Sequence, residues 1–316
     1  MLPSLVQPAV VAGVVALSAA MAEVVHRVRL FAAARTPVVF VGETGTGKSF
    51  LASSIHEHSG RVGQLVDVTA GELRPELARA YIFGHERGAF TGAVGRRPGL
   101  LEQAQNGTFL LDDFHLLDVD VQGALLRAVD ARRYRALGAQ RDVPLNCGLL
   151  FGVSGDLDTL VTQGKVLPDL RYRLGYCVIH LPRLEERREE IAPLARLFLA
   201  QCPDESGVPD GPAEFAADVL PLLESAVYPG NLRELKGRIR AAYLLARGDP
   251  EIRVEHFDGL RPDRRSFPRW GERAERIRAV QWALTRTAGR VGAAARLLGV
   301  SRNTVSALRG AIQNSA

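Results

Sequence analysis

The sequence predicts an α/β fold: a parallel sheet with helices on both faces, then a small all-α unit, then a C-terminal three-helix unit. Three observations carry this. Short apolar runs (Pro37–Val41, Leu65–Val68, Gly107–Asp113 and Leu145–Val153) alternate with stretches of helical spacing (Met21–Ala34, Gly71–Ala80 and Val121–Val129), an order that builds a parallel sheet covered on both sides. After Leu181-Pro182 the strand pattern stops, and helical periodicity continues from Glu185 to Ala246. From Arg261 to Ala316 the chain then holds twelve arginines and no lysine against three acidic residues, a balance of 12 − 3 = +9. The whole chain carries +5, so the remainder sums to 5 − 9 = −4.

Taken in order, residues Pro8–Ala20 are almost wholly apolar or small. No basic segment precedes them, and they are too few to span a bilayer, so they read as a strand or helix of the first domain. The helix Met21–Ala34 follows, with Met21, Val24, Val25, Val28 and Phe31 on one face. Glycine density in Phe83–Ala93 excludes a regular helix or strand there. Glu185–Ala200 reads as an amphipathic helix, Ser206–Pro212 as a loop within the helical unit, and Pro262–Pro268 as a polar, arginine-rich linker. The expected boundaries are 1–184 for the α/β core, 185–250 for the helical lid, 251–271 for the linker and 272–316 for the tail domain.

The stretch with the most chemistry is Gly42-Glu43-Thr44-Gly45-Thr46-Gly47-Lys48-Ser49. It lies between the apolar run 37–41 and the helical set Phe50, Leu51, Ala52 and Ile55. Strand, glycine loop and helix N-terminus together form a phosphate cradle. Gly42 and Gly47 let the backbone turn its N–H groups inward. Lys48 reaches the outer phosphates, and Ser49 holds Mg²⁺ through its hydroxyl. The chain has three lysines and 40 − 3 = 37 arginines, so a lysine here points to a task for a compact charge that arginine does not fill. Asp112 and Asp113, ending the apolar run 107–113, complete the site: Asp112 orders the Mg²⁺ shell and Asp113 polarises the attacking water. ATP and Mg²⁺ are the expected ligands.

Hydrophobic content of 47 % and charged content of 24 % are those of an ordinary soluble domain. The three cysteines, Cys147, Cys177 and Cys202, have neither metal-ligand nor disulfide spacing, and fit a reducing cytoplasm.

Phe90 is the one large apolar residue in Gly88-Ala89-Phe90-Thr91-Gly92-Ala93. On a glycine-flanked loop it either meets a partner or folds back into the core. In the tail, Ile277, Val280, Ala283 and Leu284 make one helical stripe. Val291–Leu298 and Arg302–Ile312 make two more helices across the turn Gly299-Val300-Ser301. This is the spacing of a helix-turn-helix, with a plain helical hairpin as the alternative. The basic charge favours DNA, with Ser301, Arg302, Asn303, Thr304, Ser306 and Arg309 as the contacting set.

Together these motifs resemble the AAA+ enhancer-binding activators of sigma-54 RNA polymerase, over roughly Val15–Gly248 plus the tail. Gly88–Ala93 matches the family's signature loop, which implies that Gly88, Ala89, Phe90, Thr91, Gly92 and Ala93 contact sigma-54. Tyr228-Pro229-Gly230-Asn231-Leu232-Arg233-Glu234-Leu235 is similar to its second sensor, which implies that Arg233 contacts nucleotide phosphates. Leu181-Pro182 with Glu186–Ile191 resembles the start of its lid, and Ala294–Thr304 resembles its Fis-like DNA-binding domain. By the same resemblance, Arg173 is supplied to the neighbouring subunit. The expected partners are the sigma-54 holoenzyme, enhancer DNA and further copies of the chain, from dimer to hexameric ring. The phosphate loop begins at residue 42, so control is expected from a protein in trans or from expression level.

Four positions depart from the family pattern. Asp113 stands where Glu is usual and Thr69 where Asn is usual. Ser154-Gly155 lacks the first-sensor amide. Leu167 replaces a second trans arginine, with Arg171 as the nearby substitute. These departures imply either slowed hydrolysis or an ATP-gated oligomerisation module on a DNA-binding regulator. A replication-type AAA+ loader would explain the ATP site and the tail but not the Phe90 loop.

Overall fold

The computed structural model describes residues 14–257, 273–287 and 289–313. They divide into two compact units, 1–183 and 184–316. Most of the expected linker, Pro262–Pro268 included, and residues 8–13 of the apolar N-terminal stretch lie outside the described residues.

In the first unit, helix α1 (Ala19–Ala32) starts where Ser18 Oγ accepts the Met21 N–H at 3.1 Å. Strand β1 (Val38–Val41) and helix α2 (Lys48–His58) flank the glycine loop. Strand β2 (Leu65–Thr69) leads to helix α3 (Pro75–Phe83), which begins later than the sequence suggests. Residues Ala70–Glu72 form a separate 3₁₀ turn, and Pro75 opens the helix at a position where its missing N–H costs nothing. Strand β3 (Thr108–Asp112), helix α4 (Val119–Ala131) and strand β4 (Gly148–Val153) follow. Residues 145–147 lead into β4 rather than belonging to it. Helices α5 (Leu157–Thr162) and α6 (Pro168–Leu174) precede strand β5 (Cys177–His180), which the sequence reading did not anticipate.

The five strands pair in parallel in the order β2-β3-β4-β1-β5. Pleating splits β1 between two cores. Val38 and Phe40 join α1 and α2, while Val39 joins α3, α4 and α6 on the other face. The apolar runs are therefore continuous rather than alternating, as strands covered on both faces must be.

The second unit is helical. Residues 184–190 make two 3₁₀ turns, and helix α7 (Ile191–Ser206) starts only there, six residues later than expected, with Pro193 in its first turn. Helices α8 (Val219–Ser225) and α9 (Asn231–Leu245) follow. Ile252 and Phe257 are buried, so the first part of the expected linker is folded structure. The tail forms α10 (Arg273–Arg286), α11 (Val291–Leu298) and α12 (Arg302–Gln313). Its core, around Val280, Ala283, Ala294, Leu297 and Val305, includes Leu222 of α8.

Candidate functional site

The parallel strands end together, and the candidate residues collect at their C-terminal ends. Past β1 the loop needs left-handed backbone at Gly45 (φ +80°) and Gly47 (φ +112°), which a side chain would strain. Gly42 serves differently from the expected turn. A Cβ there would sit 2.9 Å from both Leu181 Cβ and Thr46 Oγ1, so it is small because β5's continuation crosses it. Thr46 is buried and its hydroxyl donates to Glu43 O at 2.8 Å. Glu43 in turn pairs with Arg183 at 2.7 Å. Thr44 and Ser49 are exposed. On α2, Leu51, Ala52 and Ile55 face the core as expected, but Phe50 is half exposed and leaves that face.

Lys48 is the centre of the site. Its side chain is 4 % exposed, and Nζ donates to Gly42 O and to Ser154 Oγ, both at 3.0 Å. The same Nζ lies 3.5 Å from Asp112 Oδ1 and 4.0 Å from Asp113 Oδ1. Ser154, one residue past β4, closes the network by donating to Asp113 Oδ1 at 2.8 Å. The Asp113 N–H bonds the neighbouring Asp112 Oδ1 at 2.9 Å. A side chain at Gly152 would collide with the Asp112 carboxylate, so this glycine makes room for it between β3 and β4. Burial raises the Asp112 pKa; Lys48 opposes that and Asp113 adds to it. A cation brought beside this carboxylate therefore meets a group with unspent affinity for positive charge.

Asp113 itself has left-handed backbone, φ +51° and ψ +39°. Asp and Asn tolerate that region better than longer side chains do. Thr69 ends β2 in register with Asp112, at the position where an amide was expected.

Sequence reasoning gave Ser154 no positive role and passed over Asp67. Ser154 offers no amide, yet its hydroxyl bridges lysine and aspartate. Asp67, on β2, has its pKa raised by burial, while a hydrogen bond from Ser49 pulls it the other way. Ser49, Asp67 and Asp112 thus supply hard oxygen donors of the kind Mg²⁺ prefers. Among the described residues no cluster of three His, Cys, Asp or Glu side chains forms a metal cage. A site that shares Mg²⁺ with substrate phosphates needs none.

The other predicted residues of the first unit make no contact with this cluster. Arg173, on α6, is half exposed and pairs with Asp130 of α4. Arg171 is committed to Asp158 at 2.9 Å. Leu167 packs against the core, and its N–H donates to Gln122 Oε1 at 3.1 Å. In the second unit, Arg233 is exposed near the start of α9. The turn before it is built by buried Asn231 (φ +51°), whose Oδ1 accepts the Leu184 N–H at 2.9 Å.

The Gly88–Ala93 loop carries backbone hydrogen bonds from Gly88 N–H to Ala93 O at 2.9 Å and from Ala93 N–H to Phe90 O at 3.0 Å. Gly88 and Gly92 take positive φ. Phe90 is half buried, edge-on to His85 with ring centroids 5.0 Å apart, and outside the core clusters. Ala93 is buried, Gly88, Thr91 and Gly92 are exposed, and Ala89 is half buried. Val94, which the sequence reading passed over, is 85 % exposed beside it.

In the tail, Gly299 (φ +65°) ends α11. Ser301 caps α12: its Oγ accepts the Thr304 N–H at 3.1 Å and bonds Thr304 Oγ1 at 2.7 Å. Ser301 and Thr304 therefore hold the helix start. Arg302, Asn303 and Ser306 are exposed. Arg302 lies over Gly292 of α11, and Arg309 reaches Gly289 O at 3.4 Å.

Residues 14–180 match the Sigma-54 interaction domain, 185–264 the AAA+ ATPase lid domain, and 278–307 the bacterial regulatory protein, Fis family. The chain belongs to the sigma-54 interaction domain family. It is 37 % identical over 219 residues to the sigma54-dependent transcriptional activator SfnR of Pseudomonas putida, covering 69 % of this chain and 59 % of SfnR. It is 34 % identical over 310 residues to the transcriptional regulatory protein ZraR of Klebsiella oxytoca, covering 95 % of this chain and 69 % of ZraR. The chain spans 50 % of the length of another relative, the response regulator PilR of Pseudomonas aeruginosa. Crystal structures of NtrX from Brucella abortus with ADP and with ATP share the fold, each with a TM-score of 0.71. Their identities are 23 % and 24 %; they cover 96 % and 95 % of this chain, and 70 % and 69 % of the NtrX chain. Among the described residues, no helix is long and apolar enough to cross a membrane.

Proposed function

We propose that this chain is a sigma-54-dependent transcriptional activator that binds enhancer DNA through its tail. In an oligomeric ring it would couple ATP hydrolysis to remodelling of the sigma-54 holoenzyme. The observation that carries the reading is the Lys48–Ser154–Asp113–Asp112 network in a chain that also bears the Gly88–Ala93 loop. Lys48 is held where the outer phosphates of a nucleotide on the α2 N-terminus would lie, and would exchange its present partners for them. Mg²⁺, held by Ser49 and Asp112 with Asp67 nearby, would neutralise charge developing on the phosphates. Asp113 would orient the attacking water, fixed by the Ser154 hydroxyl in place of a first-sensor amide. Arg233 and the neighbouring subunit's copy of Arg173 would complete the charge stabilisation.

The second reading keeps ATP binding and ring assembly without turnover. The shorter carboxylate of Asp113 on its left-handed backbone favours it.

ATPase activity measured with and without DNA across a protein concentration series separates the two. Turnover that rises with assembly, together with capture of sigma-54 by a transition-state ATP analogue, is the expected result. Assembly with ATP but no turnover supports the second reading. No turnover, no capture and no ATP-dependent assembly together overturn both.

A further inference from the structure

The second unit is divided by charge. Residues 184–260 carry nine basic and fifteen acidic side chains, 9 − 15 = −6, against +9 for residues 261–316. The two stretches meet on α8, through an apolar contact and two ion pairs. Leu222 of α8 is buried in the tail's own core with Val280, Ala283 and Leu297. Before it in the chain, Asp218 Oδ2 accepts from Arg296 Nη2 of α11 at 2.8 Å. After it, Glu224 Oε2 lies 3.8 Å from Arg286 Nη1 at the end of α10, and the Arg286 guanidinium stands over the Trp282 ring at 4.8 Å.

Helix α8 is a fixed seat for these contacts. Val219 and Leu223 are fully buried on either side of Leu222. Arg188 Nη1 donates to Glu224 O at 2.9 Å and Ala226 O at 3.1 Å, satisfying carbonyls at the C-terminal end of the helix. The main ion pair is lopsided: the Asp218 side chain is 11 % exposed and that of Arg296 51 %. A carboxylate this enclosed is costly without a cation. The arginine keeps an open side from which another anion can reach it.

Arg286 and Arg296 stand on the two helices that precede α12. In a helix-turn-helix the helix before the recognition helix crosses the nucleic-acid backbone. A guanidinium fork fits carboxylate and phosphate oxygens alike. A DNA phosphate and the Asp218 carboxylate are therefore rivals for one side chain. We propose that α8 of the lid is a docking surface for the tail, on which Asp218 competes with DNA phosphate for Arg296. Glu224 does the same more weakly for Arg286, across its longer separation. Leu222 supplies the part of the contact that phosphate does not contest. By reciprocity, whatever the lid takes from DNA affinity, DNA takes from the hold of α8 on the tail. Competition presupposes that the tail binds DNA, as in the function proposed for the chain.

The test is the affinity of the full chain for a fluorescein-labelled duplex of random sequence, read by anisotropy at one salt concentration, with each variant's melting temperature as a check on folding. Asp218→Asn keeps the shape and removes the charge, and should raise affinity ~3-fold, the scale of a partly exposed ion pair. The rise should vanish in an Arg296→Gln background, where no arginine remains to be released. Glu214→Gln removes an exposed charge four residues away and should change affinity much less. If Asp218→Asn does not fold, Glu224→Gln should still raise affinity, and only while Arg286 is present. The proposal is overturned if neither variant raises affinity above Glu214→Gln, or if the rise survives undiminished without the partner arginine. A fall in affinity overturns it as well, since the lid would then present the tail to DNA. A wild-type chain that binds no duplex overturns the DNA reading of the tail itself, and competition with it.

Discussion

The phosphate-loop site and the Gly88–Ala93 loop sit in the same unit and are built on opposite principles. Around Lys48 the polar side chains are held in a continuous network: lysine donates to serine, serine donates to Asp113, and Asp112 accepts the Asp113 backbone N–H. Around Phe90, the hydrogen bonds are backbone to backbone across a turn closed by two positive-φ glycines, and the one side-chain anchor is a ring edge on His85. A site that must hold a phosphoryl group for in-line attack gains from rigidity, since positioning is most of what the protein contributes. A loop that must change place when the phosphates change gains from having little side-chain packing to break.

The sharpest way to break this contrast is Lys48→Ala. It removes the group at the centre of the network and leaves Asp112 and Asp113 facing each other without their cation. ATP affinity should fall by ~100-fold or more, the range for truncating one partner of a buried hydrogen-bonded charge. Binding of a fluorescent ATP analogue measures it, and wild-type affinity would remove the site.

Phe90→Ala probes the other side. A core phenylalanine lost in this way costs ~3–5 kcal/mol. Phe90 is half buried against one imidazole, so its truncation should lower stability by only about 1 kcal/mol. The mutant should bind ATP and DNA normally and yet fail to be trapped on sigma-54 holoenzyme by a transition-state analogue. A loss of several kcal/mol in chemical denaturation would instead make Phe90 a structural residue.

What the sequence disclosed follows the same division. The glycine loop, the acidic end of β3 and the Gly88–Ala93 loop were legible because each is contiguous, and because left-handed turns and apolar runs leave local marks. The bridging role of Ser154 was not legible, and Asp67 was passed over. Each is an ordinary residue whose value comes from strands brought together by the parallel register of β2, β3, β4 and β1. Strand β5 was missed because four residues, Cys-Val-Ile-His, are too few to show a period. Phe50 was misplaced because its helical spacing fits the buried stripe, while its position in the first turn of α2 leaves it at the rim. The late start of α7 was hidden because Glu185–Glu190 has helical composition but folds as two 3₁₀ turns ahead of Pro193.

Ser154→Ala tests whether the serine supports the chemistry. The variant removes a hydrogen-bond donor to Asp113 and an acceptor for Lys48 while leaving the backbone unchanged. Hydrogen bonds to charged groups are worth about 1.5–3 kcal/mol. If half of that acts in the transition state, turnover falls by roughly 10-fold with ATP affinity changed less. Equal loss in affinity and turnover would make Ser154 a binding residue only.

The smallest effect, and the one that sharpens the contrast most, is expected from Asp113→Glu. The added methylene extends the carboxylate by ~1.5 Å, about one C–C bond, toward the water it is proposed to orient. A misplacement of about 1 Å can cost ~100-fold, so recovering part of it should raise turnover several-fold. Two features of the site oppose the gain. Asp113 sits at φ +51°, where a longer side chain loses up to ~1 kcal/mol relative to Asp. The Ser154 hydroxyl is also set 2.8 Å from the present Oδ1 and would have to rotate to follow the longer arm. The two effects separate in measurement: turnover at saturating ATP should rise while the melting temperature falls slightly. If the melting temperature falls and turnover falls with it, Ser154 and the left-handed backbone define a site built around Asp, and its departure from the family's usual Glu is an adaptation rather than a weakening.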